Sequence, residues 1–458
     1  MGFIYGLAVL LVIFEGIIIH CEGAPRQKQN APLNNNLPSL PGEIIEVILS
    51  NTDFQTIKGA IGEYLAAPND IVMSKILRDD LIVIYPNLNQ LIFEYERQGD
   101  SVLKFGSYGA LTSFFDKFGD KIKRLKVDVD SQTRDESGTE ITQNIIKKYA
   151  KNLEELQISV SNDVRFWKEL SNGENHIIFP KVKKLIFRDF ACILSVSRLD
   201  LIFPKLESVD LLGDIFYLNC LEHVKGLKEL ILRNYSVQEE QLDVIFANNV
   251  NMTKIHLSSP SRTETMHSIS KHLTKLKTLE INGPAENFML LAYYGPVYTL
   301  PLVNHFIISF GDTREILGYG NFRIKMPNLK QLTFHSSENN NRIIEFIEQF
   351  TELETLELSV NSNDAIDCLP KLKHIKEFRT SNYMKKFPEL NIFFETFDED
   401  SQLQRVKFLD FCETTFKYYE NDMAEFNNKL KNLGKPTWTL SRGDPKGKGS
   451  EYAMFERN

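Results

Sequence analysis

The chain has 458 residues, 42% hydrophobic and 25% charged, with a formal net charge of -8 at pH 7. That balance describes a folded protein and excludes a disordered one. The acidic sum excludes wholesale binding to nucleic acid or to an anionic membrane and leaves room only for local basic patches.

Residues 2–14 are almost wholly apolar and residues 17–19 continue the run, with small residues at Gly23 and Ala24. This pattern predicts a cleaved secretory signal over residues 1–23. Glu15 and the length of the run disfavour a membrane anchor. Residues 24–39 are rich in Pro, Asn and Gln, the composition of an unstructured linker. Signal cleavage takes Cys21 and leaves Cys192, Cys220, Cys368 and Cys412. In an oxidising compartment these form two bridges, with Cys192 and Cys220 the closest pair in the chain, or they remain four buried thiols. There is no CxxC pair and no Cys/His cluster at zinc spacing, so no metal site is expected. The sequons Asn234-Tyr-Ser and Asn251-Met-Thr fit an exported, glycosylated chain.

Residues 40–80 read as short helices. Pro41 at a first turn, followed by Ile44, Ile45, Ile48 and Leu49, makes an amphipathic helix. Asp53 caps a second, with Phe54, Ile57, Ile61 and Tyr64 on one face. The Leu-Pro opening, Glu-Ile-Ile, Ile-Leu and Asp-Phe in this order resemble a degenerate F-box. The resemblance departs where many F-boxes carry Val-Cys and a Trp. It implies that Leu40, Pro41, Ile44, Ile45, Ile48 and Leu49 dock a Skp-type linker of a ubiquitin ligase. The alternative reading is a helical cap that seals the first repeat.

From Leu88 one phrase recurs: apolar, two free residues, apolar, one free, apolar. Its copies start at Leu88, Ile122, Leu153, Val182, Leu206, Leu227, Met252, Leu276, Val303, Leu329, Leu353 and Leu403, with a weak copy at Leu372. From Val182 to Leu353 successive starts differ by 24, 21, 25, 24, 27, 26 and 24 residues. Between copies lie helical patterns: residues 237–248 carry Val237, Leu242, Val244, Ile245 and Phe246, and residues 139–149 and 342–350 read likewise. A strand followed by a helix cannot bury both apolar faces alone, so each unit needs a like neighbour on either side.

The period and the phrase over residues 81–411 resemble the leucine-rich repeat family. The resemblance implies an α/β solenoid, a horseshoe with parallel strands on its concave face and helices on its convex face. The family's Asn or Cys after the third apolar position is replaced here by Glu96, Asp214, Tyr235, Pro260 and Pro284, and only Asn361 complies. The repeats are therefore expected to stack less regularly. Residues 412–433, with Phe416, Tyr419, Met423, Phe426 and Leu430 at helical spacing, predict a closing helix, and residues 434–458 a flexible tail.

No GxSxG, HExxH, GxxxxGK[ST] or strand-linked GxGxxG occurs, so neither catalysis nor a cofactor is expected. The free positions of the phrase point out of a repeat sheet. They include Arg124, Lys126, Lys184, Arg188, Asp210, Glu229, Arg233, Lys254, His256, Glu280, His305, Gln331, His335 and Glu357. These predict a concave surface that holds a protein ligand through its charge pattern. Two functions follow. One is a secreted F-box-like adaptor, an effector or venom protein acting in a host cell. The other is an extracellular ligand-binding protein, such as a decoy for a Toll-like receptor, with the N-terminal helices serving only as a cap.

Overall fold

Each copy of the phrase from Ile122 to Leu353, and the copy at Leu403, becomes a strand that begins two residues after its first apolar member, because the second and third apolar positions alternate with free ones at the strand period of two. A computed structural model describes residues 81–84, 101–102, 112, 115–116, 119–129, 136–160, 177–188, 198–215, 218–235, 239–258, 263–283, 296–310, 323–336, 346–360, 372–380, 393–395, 397, 400–409, 413–443 and 452–458. The chain divides into residues 1–72 and residues 73–458. The predicted signal, the linker, the F-box-like docking residues Leu40 to Leu49 and the copy at Leu88 lie outside the described residues.

The strands are β1 (Leu81–Ile84), β2 (Ser101–Val102), β3 (Arg124–Val129), β4 (Glu155–Val160), β5 (Lys184–Arg188), β6 (Ser208–Ile215), β7 (Glu229–Tyr235), β8 (Lys254–Ser258), β9 (Thr278–Gly283), β10 (Tyr298–Thr299), β11 (His305–Phe310), β12 (Ile324–Lys325), β13 (Gln331–Ser336), β14 (Thr355–Val360), β15 (Glu377–Thr380), β16 (Arg405–Phe408), β17 (Trp438–Gly443) and β18 (Tyr452–Arg457). One 16-stranded open sheet runs β2-β1-β3-β4-β5-β6-β7-β8-β9-β11-β13-β14-β15-β16-β18-β17. All pairs from β2 to β16 are parallel; β18 joins β16 and β17 antiparallel. The short strands β10 and β12 pair separately. Helices α1 (Glu136–Tyr149), α2 (Leu199–Ile202), α3 (Glu239–Asn248), α4 (Thr263–His272) and α5 (Glu413–Asn432) lie between or after them. The fold is a leucine-rich-repeat solenoid.

The core is made of stacked rows. Leu125, Leu156, Leu185, Val209, Leu230, Ile255, Leu279, Phe306, Leu332, Leu356, Phe378 and Val406 are mutual neighbours across the ladder and are all buried. In α3, Leu242, Ile245 and Phe246 turn inward while Val244, also apolar, stays exposed.

A further apolar position sits three residues before many of the phrases; before Ile122, Met252 and Leu403 it holds Gly119, Asn249 and Asp400 instead. Phe179, Phe203, Leu273, Leu300, Met326, Phe350 and Leu372 occupy it and are buried. In each case its carbonyl accepts the N–H of the first apolar residue of the phrase. This explains a phase error in the sequence reading. The weak copy placed at Leu372 begins at Ile375: Leu372 holds the preceding position, and β15 runs Glu377–Thr380 with Phe378 and Thr380 buried at the second and third positions, whereas the sequence reading sought the third at Glu377.

The expectation of irregular stacking is corrected too. Register continues from strand to strand, with a shift between Leu212 and Ile215 against β7. A backbone ladder runs along the starts of the strands. Lys123 O accepts from Glu154 N and Glu155 N, Glu154 O from Lys183 N and Lys184 N, and Lys183 O from Glu207 N and Ser208 N, and the same two-donor pattern continues to Lys376 O. The copy at Met252 adds a side-chain rung. Asn249 Oδ1 accepts the Leu227 N–H at 2.8 Å, and its Nδ2 donates to Val224 O and Ile245 O, each at 2.9 Å.

The reading of residues 434–458 as a flexible tail is overturned for residues 438–443 and 452–458. These form β17 and β18, which continue the sheet past β16. α5 ends at Gly434 in the left-handed region (φ 66), and Lys435 N reaches back to Leu430 O, so the chain reverses toward β17. Trp438, Phe394, Phe426 and Phe455 then close one aromatic cluster, with Trp438 only 1% exposed. Asn427 of α5 fixes the Trp438 backbone with two hydrogen bonds of 2.8 Å. Short, locally polar segments gave no strand signal because their apolar partners are remote in the chain.

Candidate binding surface

Side chains that alternate with the core rows stand on the open face of the sheet in three rows. The first runs Arg124, Glu155, Lys184, Ser208, Glu229, Lys254, Thr278, His305, Gln331, Thr355, Glu377, Arg405. The second runs Lys126, Gln157, Ile186, Asp210, Ile231, His256, Glu280, Ile307, Thr333, Glu357, Arg379, Lys407 across the same strands. The third holds Arg188 and Leu212, with Arg233 beyond, and then Ser258, Asn282, Ser309, His335 and Ser359. Every face residue singled out from the sequence falls in one of these rows.

What spacing could not show is that the charges pair with each other. Arg124 Nε lies 2.8 Å from Glu155, and Lys184 reaches the same carboxylate at 3.3 Å. Lys254 meets Glu229 at 2.6 Å and Ser208 donates to that carboxylate at 2.7 Å. Burial pushes Glu229 up, but the Lys254 and Ser208 hydrogen bonds outweigh it and hold the carboxyl below the ordinary range. Arg233 pairs with Asp210 at 3.3 Å. At the far end Glu377 accepts from Arg379 (2.7 Å), Lys407 (3.0 Å) and Arg405 (3.2 Å), and Arg379 also approaches Glu357. Arg188 is an exception, its Nε buried with no hydrogen-bond partner. The cations Arg124, Lys184, Arg233 and Lys254 are therefore neutralised in place. Pairs with both partners exposed add about 0–1 kcal/mol each, but Glu155 and Glu377 are buried and would be left without a counter-charge if their cations were removed.

The three histidines fall in three different rows. His256 is only 2% exposed; its Nδ1 is 3.0 Å from Glu280, and its Nε2 is 3.0 Å from Asn282 Nδ2 and 3.3 Å from Ser258 Oγ. Asn282 Nδ2 can only donate, so the tautomer that satisfies these contacts carries its proton on Nδ1. Burial pushes Glu280 up, but His256, Asn282 and the nearby Arg233 charge together outweigh it and hold the carboxyl below the ordinary range. His305 lies 3.3 Å from Thr333 Oγ1; burial, with Arg379 nearby, holds its imidazole below the usual value.

On the helical side Asp243, His272 and Ser268 come together. Both His272 Nε2 (3.0 Å) and Ser268 Oγ (2.7 Å) address the same oxygen of Asp243. The imidazole does not face the hydroxyl, so the group braces α3 against α4 and offers no base for a nucleophile. Of the two readings left open for the cysteines, Cys220 takes the free, buried thiol, pushed up to about 12 by burial, and Cys192 lies outside the described residues. Asn234 lies in β7 and Asn251 is exposed in the turn between α3 and β8.

No family model and no curated protein matches the chain. Among solved structures, an internalin from Listeria monocytogenes str. 4b F2365 is similar at 11% identity and a TM-score of 0.28, over 79% of this chain and 96% of that chain. The solenoid assignment rests on the strand register and not on that likeness.

Proposed function

We propose that the chain is an exported, non-catalytic scaffold that holds a protein ligand on the open face of its repeat sheet. The observation that carries this reading is the continuity of the three rows. From β3 to β16 one face of the repeat strands closes the core, while the other presents mostly polar side chains, the first two rows in unbroken register. No described helix is long and apolar enough to cross a membrane. The exposure of Asn251, within a sequon, favours an extracellular protein such as a receptor decoy. The adaptor reading rests on the pattern at Leu40, Pro41, Ile44, Ile45, Ile48 and Leu49. In it the same face holds a substrate, and a Skp-type linker docks those residues inside a host cell.

The scaffold reading is tested by selecting binders to the full chain from a displayed library of random peptides. Binding should weaken about tenfold or more when open-face residues are changed and stay within about twofold for Val244→Arg on the helical side. Binders sensitive only to Val244→Arg would contradict it. The finer readings separate in two assays. A glycan-dependent mobility shift lost in Asn251→Gln, without capture of a Skp-type protein, supports the extracellular protein. Capture of a Skp-type protein that is lost in Ile44→Asp with Ile48→Asp supports the adaptor.

A further inference from the structure

The turns that lead into the strands form an edge of the sheet that neither the core nor the open face uses. Glu207 N, Lys228 N, Thr253 N and Lys277 N bond the carbonyls of Lys183, Glu207, Lys228 and Thr253 in turn, so these positions stack one per strand. The four residues before each of β5 to β9 hold seven lysines and one carboxylate. β5, β7 and β9 are entered through pairs, Lys181 with Lys183, Lys225 with Lys228 and Lys275 with Lys277, and β6 through Lys205; all seven are exposed. The carboxylate is Glu207, which Lys228 meets at 2.7 Å and holds below the ordinary range. Lys275 donates to an amide oxygen, Asn251 Oδ1, at 2.7 Å. Of the acids next to these turns, Glu229 pairs with Lys254 and Asp200 with Arg198, and Glu222 is half-buried. The basic stretch ends at β14, which is entered through Glu352 and Glu354. Within or beside the same turns Ile178, Val250 and Leu302 are exposed.

A chain with a net charge of -8 thus carries a local basic strip. Its acidic remainder is screened beyond about 8 Å at physiological ionic strength. We propose that this strip docks reversibly on an anionic lipid surface, with its lysines at headgroup level and Ile178, Val250 and Leu302 entering the interface between them. From β5 to β11 five steps of about 4.8 Å give a contact about 24 Å long. Lysine suits a diffuse anionic layer, because its ammonium is a hydrated point charge and its stem lies along apolar surface with the charge outward. The aliphatic side chains gain where an apolar layer lies beneath the anions, as in a bilayer. A soluble polyanion offers them no such layer. The residues that enter β5 to β9 also include no aromatic side chain to stack on bases and no arginine fork for bidentate phosphate contacts. No described helix is long and apolar enough to cross a membrane, so the contact is peripheral. Docked in this way, the sheet stands on the starts of its strands and its open face stays accessible. The inference is therefore independent of the ligand proposed for that face.

The test uses the full chain made in a bacterial host, so that no glycan is attached to Asn251 within the strip. Sedimentation with vesicles rich in phosphatidylserine is compared with sedimentation with phosphatidylcholine alone, which reads any contribution of the apolar residues 2–14. The strip variants are Lys181→Glu with Lys183→Glu, Lys275→Glu with Lys277→Glu, and Val250→Asp with Leu302→Asp. Lys417→Glu with Lys431→Glu, exposed lysines of α5, is the control, and every variant is checked by thermal melting. The expected result is binding to the phosphatidylserine vesicles that added salt weakens. Its affinity falls about tenfold or more in each lysine pair, about fivefold or more in Val250→Asp with Leu302→Asp, and stays within about twofold in the control. If Val250→Asp with Leu302→Asp melts early, Val250→Ser with Leu302→Ser at unchanged melting decides the same point. Equal sedimentation with both kinds of vesicle, or a control that loses as much as the lysine pairs, overturns the docking. Lysine-dependent binding that is indifferent to the changes at Val250 and Leu302, and that heparin or single-stranded RNA binds equally well, assigns the strip to a soluble polyanion and overturns the lipid surface.

Discussion

Asn249 satisfies three backbone groups with one side chain, and it was invisible as a motif because it stands before the phrase and not after it. Replacing it by Ala leaves the Leu227 N–H and the carbonyls of Val224 and Ile245 buried without that partner. Asn249→Ala should cost about 2–4 kcal/mol, read from the shift in denaturant midpoint, with little change in slope. A second residue, His305, gives a pH signature. Its folded pKa is depressed, so on acidification the unfolded chain takes up the proton first, near its ordinary value of about 6.5. Stability is therefore greatest above that value and falls as pH drops toward the folded pKa. His305→Gln should flatten the difference in denaturant midpoint between about pH 7.5 and about pH 5.5; an unchanged difference would show that His305 does not titrate as its surroundings imply.

At the scale of elements, the repeat strands were legible and their phase mostly so. The phrase located β3 to β9, β11, β13, β14 and β16 because each has two inward apolar residues at a spacing of two. It missed the phase of β15 because Leu372 and Ile375, a turn residue and the start of the phrase, have the same three-residue spacing as the phrase itself. It missed β17 and β18 because antiparallel closure by a hairpin follows no repeat. That closure covers the edge of β16, which would otherwise offer unpaired N–H and C=O groups. Deleting residues 435–458 should expose this edge together with Phe394, whose partners Trp438 and Phe455 are removed. The truncated chain should self-associate in size-exclusion chromatography and melt at a lower temperature. A monomer of unchanged melting temperature would show that α5 alone closes the stack.

At the scale of the whole sheet, each strand rests only on its neighbours, so stability builds toward the middle of the ladder. Amides of β6 to β9 should be the last to exchange in hydrogen-exchange mass spectrometry, and those of β16 to β18 should open sooner; uniform protection would mean a single cooperative unit. The sequence by itself determined the period, and with it the alternation of core and open face, because strand geometry admits one side-chain period and apolar residues obey it locally. Only the tertiary structure decided which charges are already spent. Arg124 and Glu155, or Glu229 and Lys254, are 31 and 25 residues apart. They meet because the solenoid turns once between them, and whether a cation finds a carboxylate in the next turn depends on that register and not on anything adjacent in the chain.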